Sequence, residues 1–209
     1  MWEAALRAVG AGLRAVDAVM DPVSGVGNAF CQVRPPGHHA GRDRAMGFCF
    51  FSAAAIAALY ARAQYRVQRV AVVDLDVHYG NGTQDIFWAD ADLFYDSTHQ
   101  MSLFPGTGAA SERGVGNIWN APLRAGDGGE AFRGAFEGRI LPALDRFGPD
   151  DLKTCVMAIF NPPVAPGHPE LPSRRLLQQV RNMPPSPPSA TLAWRTGRLG
   201  RRQPRSCRL

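Results

Sequence analysis

The first 151 residues contain no lysine; their positive charge is carried by 13 arginines, set against 17 Asp and Glu, a net −4. The four cysteines (Cys31, Cys49, Cys155 and Cys207) are scattered and form no C-x-x-C pair. That excludes a zinc-ribbon site and a disulfide framework, and predicts free thiols in a reducing cytoplasm. No apolar run reaches the roughly 18 residues that a membrane span needs. The N-terminus has no basic segment followed by an apolar one, so export is not expected either. With no basic face over residues 1–151, specific nucleic-acid binding is not expected. Two further absences matter below: no Asp follows Asp151, and no Tyr follows Tyr95.

What is present suits one globular domain. The chain has 209 residues and 45% hydrophobic content, enough for a sizeable core. The formal charge of +5 is misleading as a whole. Residues 152–209 carry nine Arg and one Lys against one Glu, so the basic character belongs to that segment. Eleven of the 17 prolines lie at or after Pro149. The reading is a partial domain over 1–150 and a disordered Pro/Arg-rich tail over 151–209. Lysine-free, arginine-rich coding points to GC-rich DNA, so the tail is expected to be a frameshift or gene-prediction product. Translating the other two frames beyond codon 150 checks that.

Periodicity divides the body into alternating helices and strands. Trp2, Leu6, Val9, Leu13, Val16 and Met20 recur at spacings of three and four, one face of an amphipathic helix. "NAFCQV" reads as a short strand stopped by Pro35 and Pro36. "FFSAAAIAALYARAQY" reads as a helix. "RVAVVDLDV", "DLFYDST" and "GNIWNAPL" read as strands. Asp127 with Glu130 predicts a capping box, opening a helix faced by Phe132, Phe136, Ile140, Leu144 and Phe147. Strand and helix in repetition imply an α/β fold, a parallel sheet with helices on both faces. Function in such a sheet gathers at the carboxyl ends of the strands.

Three stretches fall at such ends. In "VVDLDVHYGNGTQ", Asp74, Asp76 and His78 share one face by the two-residue strand period. A carboxylate and an imidazole two residues apart can reach one divalent ion, and Zn²⁺ accepts both. Asp74 lies deeper, as a partner to a ligand or facing a second cation, and Asn81 could fix an imidazole. The plainer alternative is a strand ending in polar residues that cap the next helix. In "VRPPGHHAGRDRAMGFCFF", His38 and His39 follow a rigid turn. Two imidazoles held at different pKa values could divide acid and base work. "LFPGTG" places an aromatic before a Pro-Gly turn.

Together "RPPGHHA", "MGFCFF", "VVDLDVHYGNGTQ" and "FPGTG" resemble, in order and spacing, the zinc-dependent histone deacetylase superfamily, which includes acetylpolyamine amidohydrolases and bacterial deacetylase-like amidohydrolases. The resemblance covers residues 1–150 and leans toward class II and bacterial members. It implies the arginase/deacetylase α/β fold, present here as an incomplete part. It implies zinc held by Asp76 and His78, and a catalytic group of His38, His39, Asp74 and Asn81. It implies a monovalent cation, usually K⁺, at Asp74 and Ser97, and a substrate tunnel at Gly47, Phe48 and Phe104. The implied reaction is hydrolysis of an acetylated amine, whether acetyl-lysine or acetylpolyamine. The family's third ligand, an Asp in a Gly-Phe-Asp motif, and its catalytic Tyr have no counterpart after residue 150. His168 and Glu170 are ligands by residue type alone. The second reading is therefore a catalytically inactive fragment of that family.

Overall fold

The computed structural model describes residues 1–149; the expected boundary at 150 and the tail 151–209 lie outside the described residues. Helix α1 runs Trp2–Met20 and α2 runs Ala53–Tyr65. Strand β1 spans Val70–Asp74, α3 Asn81–Phe87, β2 Leu93–Gln100 and β3 Ile118–Leu123. The chain then forms α4 at Gly129–Ala135, a π-helical turn at Phe136–Ile140, and α5 at Leu141–Phe147.

The three strands pair in parallel in the order β1-β2-β3. All five residues of β1 are buried, as expected for a parallel sheet covered on both faces. Alternation then sorts them. Val70, Val72, Leu93 and Tyr95 point toward α2, with Ala54, Ala55, Ala58, Tyr79 and Phe87. Ala71 and Phe94 point the other way, toward Ala143 and Phe147 of α5. Val73 and Ala121 meet Phe136 and Ile140 there. Parallel pairing needs a crossover helix between strands, and α3 supplies it between β1 and β2.

Alanine explains the outer layer. Helix α2 buries Ala54, Ala55, Ala57, Ala58 and Ala61, and α1 offers Ala5, Ala8 and Gly12. With side chains this small, a Cβ built on Gly12 comes within 3.6 Å of the Ala57 Cβ. The pair is pinned by Asp17, whose Oδ1 accepts the Tyr60 and Tyr65 hydroxyls at 2.8 Å each. Helix α2 ends at Arg66, in the left-handed region at φ 57°.

Three expectations fail. "NAFCQV" forms no strand; most of it lies exposed, with Phe30 82% accessible, and no strand among the described residues pairs with it. The final helix is three pieces, because Pro142 enters the first turn of α5 without an N–H and the preceding turn widens. Asp127 does not cap a helix: Gly128 is the N-cap of α4, and the Asp127 carboxylate accepts the Arg124 N–H inside the preceding turn.

Candidate functional site

The β1 strand ends at Asp74, and the chain runs on through Asp76 and His78 as a loop before α3. The expected shared strand face is thus a shared loop edge, fixed by hydrogen bonds rather than by pleating. Asp74 is fully buried. Its Oδ1 accepts the Asp76 N–H at 3.0 Å, and its Oδ2 accepts the Tyr95 hydroxyl at 2.9 Å and meets His38 Nδ1 at 2.8 Å. Asp76 Oδ1 in turn accepts the His78 N–H at 2.8 Å and lies 3.1 Å from His78 Nδ1. A carboxylate and an imidazole nitrogen therefore converge, as two ligands of one ion do.

His38 and His39 come from the turn across the site. The His38 carbonyl accepts the N–H groups of Gly82 and Thr83, anchoring the turn to the start of α3. Gly82 allows this approach, since a Cβ there would strike the Ala40 carbonyl. His39 Nδ1 lies 2.9 Å from the Asn81 amide oxygen, so it carries the proton and donates. The imidazole rings sit 4.1 Å apart, and the His39 and His78 rings 6.2 Å apart. The two environments separate the pair chemically. Burial pushes His38 down, but the Asp74 charge, its hydrogen bond and the Asp76 charge outweigh it, so His38 is raised above its ordinary value. Burial and the neighbouring His38 charge lower His39 to about 4. At neutral pH His39 is a neutral base with a free Nε2, while His38 holds its proton more tightly than an ordinary imidazole.

Of the three residues expected to line a tunnel, Gly47 and Phe104 lie against His39. Gly47 and Phe48 form the tip of a two-residue turn closed by Met46 and Cys49, whose N–H groups donate to each other's carbonyls at 3.1 and 2.8 Å. Both tip residues are left-handed, φ 55° and 63°, as this hairpin turn requires. For Phe48 that is a strained conformation, and it leaves the ring 91% exposed. A Cβ on Gly47 would run into the His39 ring. Phe104 stands edge-on to His39, ring centres 5.0 Å apart. Among the described residues no ring contact joins Phe48 to Phe104. Ser97 is the cross-strand neighbour of Asp74, and its hydroxyl lies 3.0 Å from His99 Nδ1.

Glu112 escapes a reading by motif. Its Oε1 accepts the N–H groups of Gly108 and Ala109 at 2.9 and 2.8 Å, at the end of the "FPGTG" loop. Its Oε2 accepts Gln84 Nε2 at 2.6 Å, and Gln84 Oε1 accepts Asn120 Nδ2 at 2.9 Å. The loop bearing Phe104 is thereby tied to α3 and β3. Beside this chain opens a cavity of about 690 Å³ lined by Asp43, Arg44, Asn81, Trp88 and Glu112. Tyr95 is also unforeseen, as the hydroxyl that holds Asp74. Its only signal in the sequence is its place on β2 opposite Val72.

The donor set decides how far a metal fits. Asp76 and His78 converge, but among the described residues no three or more His, Cys, Asp or Glu side chains are arranged so that they could hold a metal ion. A catalytic zinc takes three protein ligands and a water. The two side chains expected as zinc ligands, Asp76 and His78, lie together, and they fall short of that number.

The chain's relatives agree with this architecture. The histone deacetylase domain model matches residues 1–154. The chain is 45% identical over 158 residues to "Histone deacetylase 10, chloroplastic" of Oryza sativa subsp. japonica, covering 71% of this chain and 35% of that protein. It is 43% identical over 153 residues to the "Histone deacetylase-like amidohydrolase" of Pseudomonas aeruginosa, covering 71% and 40%. The crystal structure of an acetylpolyamine aminohydrolase from Burkholderia pseudomallei superposes with a TM-score of 0.71 at 36% identity, over 82% of this chain and 49% of that one. The chain thus spans between a third and a half of these relatives' length.

Proposed function

Since the chain belongs to the histone deacetylase domain family, we propose that its site is built for hydrolysis of acetylated amines, and that residues 1–149 carry the proton-transfer part of that site. The observation that carries this is the split histidine pair: His38 against Asp74 at 2.8 Å and His39 against Asn81 at 2.9 Å, beside Asp76 and His78. Neutral His39, with Nδ1–H directed to Asn81, has a free Nε2 to take a proton from an attacking water. His38, clamped by Asp74 and holding its proton more tightly than an ordinary imidazole, supplies positive charge when protonated, where an oxyanion develops. Gly47, Phe48 and Phe104 wall the approach for the alkyl stem of an acetylated amine, either a lysine side chain or a polyamine. Asp76 and His78 are the residues that would hold zinc, which when bound supplies a polarised water and carbonyl. Asp74 and Ser97, neighbours across β1 and β2, would hold K⁺.

Two donors bind zinc weakly, and the family's third ligand has no counterpart in the sequence after residue 150, so this chain is proposed to be catalytically silent. No helix of the described residues is long and apolar enough to cross a membrane, and the scattered thiols suit a cytoplasmic protein. The experiment is a fluorogenic acetyl-lysine assay on the full chain with added zinc. Any turnover is lost in His39→Ala and in Asp76→Ala. Turnover that survives either change overturns the assignment.

A further inference from the structure

Far from the histidine pair, on the sheet face that α4 and α5 cover, three arginines meet one indole. The guanidinium carbons of Arg113, Arg146 and Arg139 lie 4.3, 5.3 and 5.8 Å from the centre of the Trp119 ring. They arrive from three elements: the loop before β3, the π-helical turn and α5. The ring is itself fixed, Nε1–H donating to the Gly116 carbonyl at 3.2 Å. Arg139 is fixed as well, its Nη2 donating to the Ala110 carbonyl at 2.9 Å.

Stacking on an aromatic face satisfies the plane of a guanidinium but none of its N–H groups. Here Arg113 Nη1 and Arg139 Nε are buried with no hydrogen-bond partner among the described residues. A buried donor left unpaired destabilises the fold, and such groups are rare in native proteins. A carboxylate is the ordinary remedy, and residues 1–149 contain fifteen Asp and Glu. None of their ion pairs includes any of these three arginines. The positive charges also act on each other: burial first, and then the Arg113 charge, hold the Arg139 guanidinium below its ordinary value. Three like charges and two orphaned donors around one aromatic shelf lack an acceptor that brings its own negative charge.

We propose that the Trp119 shelf is a binding site for a phosphate-class oxyanion, held by the N–H groups of Arg113 and Arg139, with Arg146 adding charge. A dianion suits the three positive charges better than a single carboxylate, and tetrahedral oxygens can accept from guanidiniums that do not share a plane. Such a site concerns a ligand other than the acetylated amine, and it holds whether or not the proposed hydrolysis is correct.

The test is NMR on the full chain, following the Trp119 indole N–H and the Arg139 Nε–H while inorganic phosphate is titrated at constant ionic strength against chloride. Both signals should shift saturably, and the apparent Kd should weaken at least tenfold in Arg139→Gln and in Arg113→Gln. Arg133→Gln removes the same charge from the exposed face of α4 and should leave the Kd unchanged. Linear shifts without saturation, equal shifts with chloride alone, or equal weakening by Arg133→Gln overturn the proposal, since each means general screening rather than a site. The spectra of the three variants report their folding, so loss of binding and loss of fold are separable.

Discussion

Replacing Glu112 by Ala removes one carboxylate that three donors share: the N–H groups of Gly108 and Ala109 and the Gln84 amide. Hydrogen bonds to a charged group are worth about 1.5–3 kcal/mol each when buried. Glu112 is only partly buried, and water can reach the freed donors, so the total is nearer about 2 kcal/mol than the sum. The loss should be local first. Amide exchange at Gly108 and Ala109 should accelerate by one to two orders of magnitude, about 1.4 kcal/mol per tenfold, while Val72 and Phe94 keep their protection. Phe104, released with its loop, should leave the face of His39, moving the His39 Cε1–H signal. Burial raises the Glu112 carboxyl, but the hydrogen bonds from Gln84, Ala109 and Gly108 outweigh it and hold it below its ordinary value. A depressed folded pKa gives stability that is complete above the unfolded value near 4.5 and lost as pH falls through the folded one. That acid-side slope should vanish in both Glu112→Ala and Glu112→Gln, with Glu112→Gln keeping part of the loop's protection. Unchanged exchange at Gly108 and Ala109 in Glu112→Ala would refute the tether.

The histidine pair should titrate apart by NMR, His39 near 4 and His38 above its ordinary value. The share of stability from His39 is complete above its unfolded value near 6.5 and lost as pH falls toward about 4, whereas the share from His38 is complete in acid and lost as pH rises through its raised pKa; coincident titrations would contradict the split. Asp96 is buried in β2 with neither oxygen partnered, and burial and the Asp74 charge push its carboxyl far up, so Asp96→Val should raise the urea midpoint by the equivalent of roughly 2 kcal/mol; a loss of stability would show that the carboxyl has an unseen role. Phe94→Ala deletes a buried ring tilted against Phe147, ring centres 5.2 Å apart, and should cost about 3–5 kcal/mol in the same assay.

The parts of the site that follow one local period were legible in the sequence. The β-branched run before Asp74 marked a buried strand, and the carboxylate–imidazole spacing after it marked two side chains that meet at 3.1 Å, though on a loop and not on the strand itself. The two histidines were legible as a pair because a Pro-Pro-Gly turn left them little else to do. What was missed depends on partners far along the chain. Tyr95 reaches Asp74 across β1 and β2, Glu112 reaches Gln84 across 28 residues, and no period within one element encodes either. The capping box failed because Asp127 had a nearer use in its own turn. The even charge count of residues 1–151 concealed the arginines at Trp119, since net charge says nothing about which side chains the topology gathers. "NAFCQV" had a strand's composition but found no neighbour, and a strand exists only by pairing.

Residues 1–149 hold both histidine partners but, on the proposed assignment, only two metal donors, and zinc retention tests that most directly. Complete zinc sites bind with about 10–16 kcal/mol. Half the ligands should give roughly half of that, a Kd of about a micromolar or weaker. The full chain, loaded with zinc, desalted and measured by elemental analysis, should retain far less than one ion per chain, and Asp76→Ala should abolish what binding a titration detects. One zinc kept per chain through desalting would contradict the account, and would mean that a third ligand is supplied from beyond residue 149 of this same chain.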